Sequence, residues 1–142
     1  MTTLNVTEAA ENFASTMKNA FANGTLEAID ELMDESITLH TPRHFKPVTN
    51  KNQVRAIIRA LPQFIDGFHY DRHFINDQQV VMVFEGKVDD MPIQGIDLFT
   101  LNEQGKAYHV EVFVRPSKSL EALAVKEDAY IADVMAGKIR ID

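Results

Sequence analysis

The chain has 142 residues, no cysteine, and 21 acidic against 14 basic side chains, for a formal charge of −7. Residues 1–142 fit one domain, which buries roughly two-thirds of its unfolded surface in a single core. The lack of cysteine excludes disulfides, thiolate metal sites and a cysteine nucleophile. The charges are scattered without a basic stripe, so neither nucleic acid nor a membrane surface is expected as a partner. The N-terminus has no basic segment leading into an apolar run, and no stretch approaches the length of a membrane span, which points to a cytoplasmic location.

Thr7 is placed to cap a first helix, with Glu8 and Glu11 in its first turns and Phe13, Met17 and Phe21 on one side; Asn23-Gly24 ends it. A short second helix from Thr25 presents Leu26, Ile29, Leu32 and Met33 to the interior and its acids to water. Ser36 to Thr41 alternates as a strand, with Ile37, Leu39 and Thr41 on one face and Thr38 and His40 on the other. The segment Pro42 to Thr49 is basic and bracketed by prolines, and reads as either a lip over a pocket or an ordinary surface loop. Asn50 and Gln53 open a third helix with Val54, Ile57, Ile58 and Leu61 on its apolar side, which Pro62 breaks or kinks.

Phe68 to Asn76 alternates again, placing Phe68, Tyr70 and Phe74 opposite His69, Asp71, His73 and Ile75. Gln79 to Val88 is apolar on both faces, as in a central strand covered on both sides. Pro92 to Leu101 and Ala107 to Arg115 form a hairpin across the turn Asn102 to Gly105. A last helix follows from Ser117 over residues 117–137, with Leu120, Leu123, Ala124, Tyr130, Ile131 and Val134 at helical spacing and Gly137 as its stop. The order is two helices, strand, helix, four strands and helix, an α+β fold with helices on one face of a mostly antiparallel sheet.

Asp97 is the residue that chemistry points to. On its strand face lie Ile93, Gly95, Phe99 and Leu101, and an acid among them must be paired, hydrogen-bonded or neutralised. Burial would raise its pKa into a useful range, making it a candidate proton donor or acceptor. The competing readings turn Asp97 to solvent or satisfy it internally. His40, beside the restricted position before Pro42, is a second candidate. His109 and Glu111 fall on the face opposite Val110, Val112 and Val114. His69, Asp71 and His73 stand about 7 Å apart along one strand face, too far for all three to reach one ion, so no metal is expected. Phe13, Met17, Thr41, Phe64, Phe99, Val110 and Val112 are the candidate walls of a pocket for a small apolar molecule. The absence of glycine-rich phosphate loops and nucleotide fingerprints leaves no cofactor expected.

The element order, with Gly95-x-Asp97 on a strand, Asn102 to Lys106 at the turn and Val112-Phe113-Val114-Arg115-Pro116 after it, resembles the SnoaL-like branch of the nuclear transport factor 2-like superfamily. The resemblance implies a cone in which helices close over the concave face of a bent sheet, and a homodimer through that sheet. It implies an activity class no narrower than cofactor-independent isomerase, cyclase or hydrolase, with non-catalytic binding or dimerisation domains as the alternative. Asp97 stands where ketosteroid isomerases carry the protonated aspartic acid of their oxyanion hole, the standard example of a carboxyl kept neutral by an apolar site. Met17 and Thr41 stand where that family has its tyrosine and its aspartate base. Threonine cannot remove a carbon-bound proton at neutral pH, so that particular mechanism is not expected. Nor does the sequence show a second inward acid or arginine of the kind limonene epoxide hydrolase needs.

Overall fold

In the computed structural model, which describes residues 5–141, the chain forms four helices and five strands in the expected order. Helix α1 (Val6–Asn23) is capped by Asn5 and not by Thr7: the Asn5 side chain accepts from the amides of Thr7 and Glu8 at 3.0 and 3.3 Å. Phe13, Met17 and Phe21 are buried along it, and Gly24 closes it with φ 71°. Helix α2 (Glu27–Glu31) is shorter than its apolar stripe suggests, because strand β1 (Met33–His40) starts at Met33. The last strand claims that position: Ala107 pairs with Met33 and donates its amide to the Leu32 carbonyl at 2.8 Å. Helix α3 (Lys51–Phe64) is capped by Asn50 and runs through Pro62 to Phe64. The proline removes one amide donor only, and the helix ends where Ile65 plunges into the core.

Strands β2 (Asp66–Asn76), β3 (Gln79–Val88), β4 (Met91–Leu101) and β5 (Ala107–Arg115) are antiparallel, and β1 joins β5 in parallel, giving the order β1-β5-β4-β3-β2. The central strand is therefore β4 and not β3. On β3 the inward side chains Val80, Met82, Phe84 and Val88 are fully buried, while outward Val83 is covered by neighbouring side chains and Val81 only partly. Helix α4 (Ser117–Met135) lies back across the sheet, its Ser119 hydroxyl donating to the Pro92 carbonyl at 2.7 Å. Its C-terminus closes through Gly137, whose amide donates to the Val134 carbonyl at 3.0 Å.

Strand β2 departs from simple alternation. Tyr70 pairs with Phe84 and Arg72 with Val83, so one extra residue is accommodated between them. Such a bulge reverses the sidedness of everything beyond it. Phe68 and Tyr70 point inward as expected, but Phe74 turns to solvent (58% exposed) and Ile75 packs on the core. His73 likewise swings over to α1, its Nε2 lying 3.2 Å from Glu11.

Gly95 permits the close packing beside Asp97. A Cβ there would run into the Phe84 ring on the neighbouring strand and the Phe113 carbonyl. Gly95→Val is expected to cost about 1–3 kcal/mol through overpacking, read as a lowered midpoint in urea unfolding. Wild-type stability in that variant would contradict the packing just described.

Among the described residues two apolar clusters result. The larger lies between the inner sheet face and the helices; the smaller joins Ala56 and Ala60 of α3 to Tyr130 of α4, with Ile139 and Ile141 of the tail packed on it. Among the described residues no helix is long and apolar enough to cross a membrane.

Candidate functional site

The inner sheet face and the helices do not meet everywhere, and a cavity of about 420 Å³ remains between them. Its floor is the sheet: Phe84 from β3, Asp97 and Phe99 from β4, and Val110, Val112 and Val114 from β5. Its sides are Met17 and Phe21 of α1, and Val54, Ile57, Ile58 and Leu61 of α3. Helix α4 closes it with Leu120, Leu123, Glu127 and Ile131, and the segment from Thr41 to Val48 borders it. That segment is anchored at its base, where Leu39 and Val48 exchange both backbone hydrogen bonds at 2.9 and 2.8 Å.

Asp97 is 3% exposed, and its Oδ2 accepts a 2.8 Å hydrogen bond from the Tyr70 hydroxyl. Strand parity puts Asp97 inward, and the register of β2 against β3 and β4 brings Tyr70 to the same patch, just ahead of the bulge. Edge-on contacts with Phe21 and Phe68 hold the tyrosine ring in place, and Phe68 in turn packs on Phe21 and Phe84. Burial pushes the Asp97 carboxyl up to about 7, partly offset by the hydrogen bond from Tyr70. Burial, and then the charge of Asp97, push the Tyr70 phenol well above its usual range, so it remains a donor. At neutral pH Asp97 is thus divided between acid and carboxylate, the condition under which a group can both give and take a proton.

The cavity holds a second acid that the sequence did not announce. Glu127 of α4 is 8% exposed, and burial pushes it up to about 7, with nearby Arg43 pulling the other way. Beside it, Arg43 makes a two-pronged pair with Asp128, at 2.6 and 3.0 Å, which ties the Thr41–Val48 segment to α4. The hydrogen bond from Arg43 holds Asp128 below the ordinary carboxylate range. The signal was present: Leu120, Leu123, Glu127 and Ile131 share one helical stripe, and an acid on such a stripe faces the interior. Tyr70 was visible as an inward residue, but nothing in the sequence pairs it with Asp97.

Of the residues singled out from the sequence, Asp97, Met17, Thr41, Phe99, Val110 and Val112 come together around the cavity. Three do not. His40 lies on the other sheet face, its ring 4.7 Å from that of His109, because alternation turns it away from Leu39 and Thr41. Phe13 is buried against Phe99, at 4.9 Å between rings, and Phe64 packs on Tyr130 at 5.7 Å; both are structural neighbours of the site. His69, Asp71 and His73 are dispersed by the bulge, and the described residues contain no cluster of three or more potential metal ligands.

A bent, unclosed sheet whose concave side is roofed by helices is the fold of nuclear transport factor 2-like proteins. Within it, the chain belongs to the SnoaL-like domain family, whose model matches residues 14–110. A bacterial protein with a cystatin-like fold from Silicibacter pomeroyi DSS-3 shares 29% identity, with 82% of this chain and 83% of that one covered and a TM-score of 0.75. A steroid delta-isomerase from Pseudomonas aeruginosa shares 23% identity over 90% of this chain and 95% of its own, with a TM-score of 0.81. A putative SnoaL-like polyketide cyclase from Jannaschia sp. CCS1 shares 13% over 87% and 97%, with a TM-score of 0.67. At these identities the isomerase and the cyclase are likenesses of fold. Comparison with curated protein sequences finds no match.

Proposed function

We propose that the protein binds a small, mostly apolar molecule bearing a carbonyl group and promotes proton transfer next to that carbonyl, with Asp97 as proton donor or acceptor. The carrying observation is the buried Asp97 carboxyl, held by Tyr70 and open to an apolar cavity. In its carboxylate form Asp97 takes the proton from the carbon beside the carbonyl on the oxygen that Tyr70 leaves free, and the neutral acid so formed passes a proton to the enolate oxygen or back to the carbon. The family's fold likeness to an isomerase and a cyclase is consistent with this chemistry. Binding without turnover is the second reading, favoured by the presence of Met17 and Thr41 on the walls, neither of which moves a proton at neutral pH. Solvent-deuterium exchange at the carbon beside the carbonyl of a decalone, by wild type and Asp97→Asn, separates the two. Exchange supports the first; a ketone that binds without exchanging supports the second.

The same reading takes the protein to be a homodimer through the outer sheet face. There Ile96 and Phe113 sit opposite each other on β4 and β5, 37% and 56% exposed, with Phe74 at 58% on the same sheet. Large apolar side chains grouped on one face mark an interaction surface. Phe113→Asp is expected to convert a dimer to a monomer in sedimentation velocity, and a wild-type protein that sediments as a monomer would refute the arrangement.

A further inference from the structure

Phe45 is 101% exposed, whereas the other large apolar side chains left on the described surface range from 37% to 73%. Pro42, Arg43 and His44 before it and Val48 after it all line the cavity, and Phe45 does not. Of the lining residues only Pro42, Arg43, His44, Asp128 and Ala132 are exposed, so the cavity opens to water between this loop and α4. Phe45 stands beside that mouth, its Cα one step of about 3.8 Å from that of His44.

The loop is held on both sides of Phe45 and loose at it. Thr41 Oγ1 accepts from the amides of Arg43 and His44 at 3.3 and 3.2 Å, and Arg43 is clamped to Asp128 of α4. Downstream, Val48 is bonded to Leu39. Between these anchors, among the described residues, no hydrogen bond or ion pair holds Phe45, Lys46 or Pro47. A piece this short, ending in a proline, has little chain freedom to lose when it moves.

We propose that Phe45 is a ligand-contacting residue: the Phe45–Pro47 piece turns inward when a small apolar molecule enters, and the Phe45 ring covers the mouth and packs on the guest. The mouth is where the apolar walls stop, and its rim is polar, with Arg43, His44 and Asp128. A guest there faces water, and a phenyl ring laid over it removes the apolar surface of both from solvent. With no guest beneath it the inward ring has too few contacts to repay the move, and it stays out. The guest binds the closed form better by the contacts Phe45 makes, and that difference is what closes the loop.

This inference rests on reading the cavity as a site for a small apolar molecule, and not on the proton transfer there. The chain has no tryptophan, so Phe45→Trp places a single indole at the mouth. Its emission maximum and its quenching by acrylamide are followed as a decalone, and a decalol that lacks the carbonyl, are added to saturation established by equilibrium dialysis. With every probe that binds, emission is expected to move to shorter wavelength and most of the quenching to disappear, at any protein concentration. Phe45→Ala is expected to bind about tenfold or more weakly through faster dissociation, with Phe45→Leu recovering part of the loss. At so exposed a position none of these variants should alter the thermal melt.

An indole still fully quenched in the saturated protein overturns the proposal, as does a Phe45→Ala protein that binds as tightly as wild type. Shielding that grows with protein concentration in the absence of ligand also overturns it, because a second copy then covers Phe45. Should Phe45→Trp itself lose binding, the affinity of Phe45→Ala decides. If neither bicyclic probe binds wild type, the reading of the cavity fails and this inference with it. If the loop closes on the decalone but no deuterium is exchanged, proton transfer fails and the role of Phe45 stands.

Discussion

Urea unfolding is expected to show the protein at its most stable near pH 5 and progressively weaker towards pH 8. Two buried carboxyls, Asp97 and Glu127, have their folded-state values pushed up to about 7, from ordinary values of 3.8 and 4.5. Between those limits the folded chain binds more protons than the unfolded one, so stability falls as pH rises. Stability from these groups is complete below the ordinary carboxylate range and gone once pH passes the folded value near 7. Across pH 5 to 8 each group is worth about 2–3 kcal/mol. Asp34 and Asp128 shift the other way, but their stabilising contribution fails only as pH drops below the ordinary carboxylate range, outside this window. Asp97→Asn should remove about half of the pH slope, and Glu127→Leu the other half. A midpoint that rises from pH 5 to pH 8, or slopes indifferent to both substitutions, would show that the two acids are not buried as described.

Asp97→Asn is also expected to slow deuterium exchange on a bound ketone by roughly 10²–10⁴-fold, the usual share of one general acid–base group. Asparagine preserves the shape of the carboxyl, and its side-chain oxygen still accepts from Tyr70, so the fold and ketone affinity should change little. What is lost is a group that takes up and releases a proton at neutral pH. A conserved exchange rate in a variant that still binds the ketone would remove Asp97 from the reaction, and with it the enzymatic reading of the cavity.

Much of this architecture is legible in the sequence because alternation and helical spacing are consequences of which side chains must leave water. The β4–β5 hairpin is the clearest case: every second residue of β4 from Ile93 to Leu101 is buried, and Asn102 accepts backbone hydrogen bonds from Gln104 and Lys106 across the turn. Where the reading failed, a non-local partner decided the outcome. Met33 has helical spacing but is claimed by β5; β3 is apolar on both faces yet is not central. The register against β3, which no local pattern reveals, sets the parity of β2. Glu127 is in phase with the apolar stripe of α4, and a polar residue so placed faces the interior as they do.

The bulge after Tyr70 makes the site sensitive to chain length in a way that ordinary substitution does not capture. Upstream of it the strand is in phase with Asp97; downstream it is in phase with α1, where His73 meets Glu11. Losing one residue there forces one of the two halves to rotate by a full side. If the downstream half yields, Phe74 moves inward; if the upstream half yields, Tyr70 faces water and Asp97 loses its donor. Insertions and deletions in this strand are therefore tolerated in pairs and damaging singly, so the lineage of this pocket should carry a fixed residue count between Tyr70 and Asn76 even where the residues themselves drift.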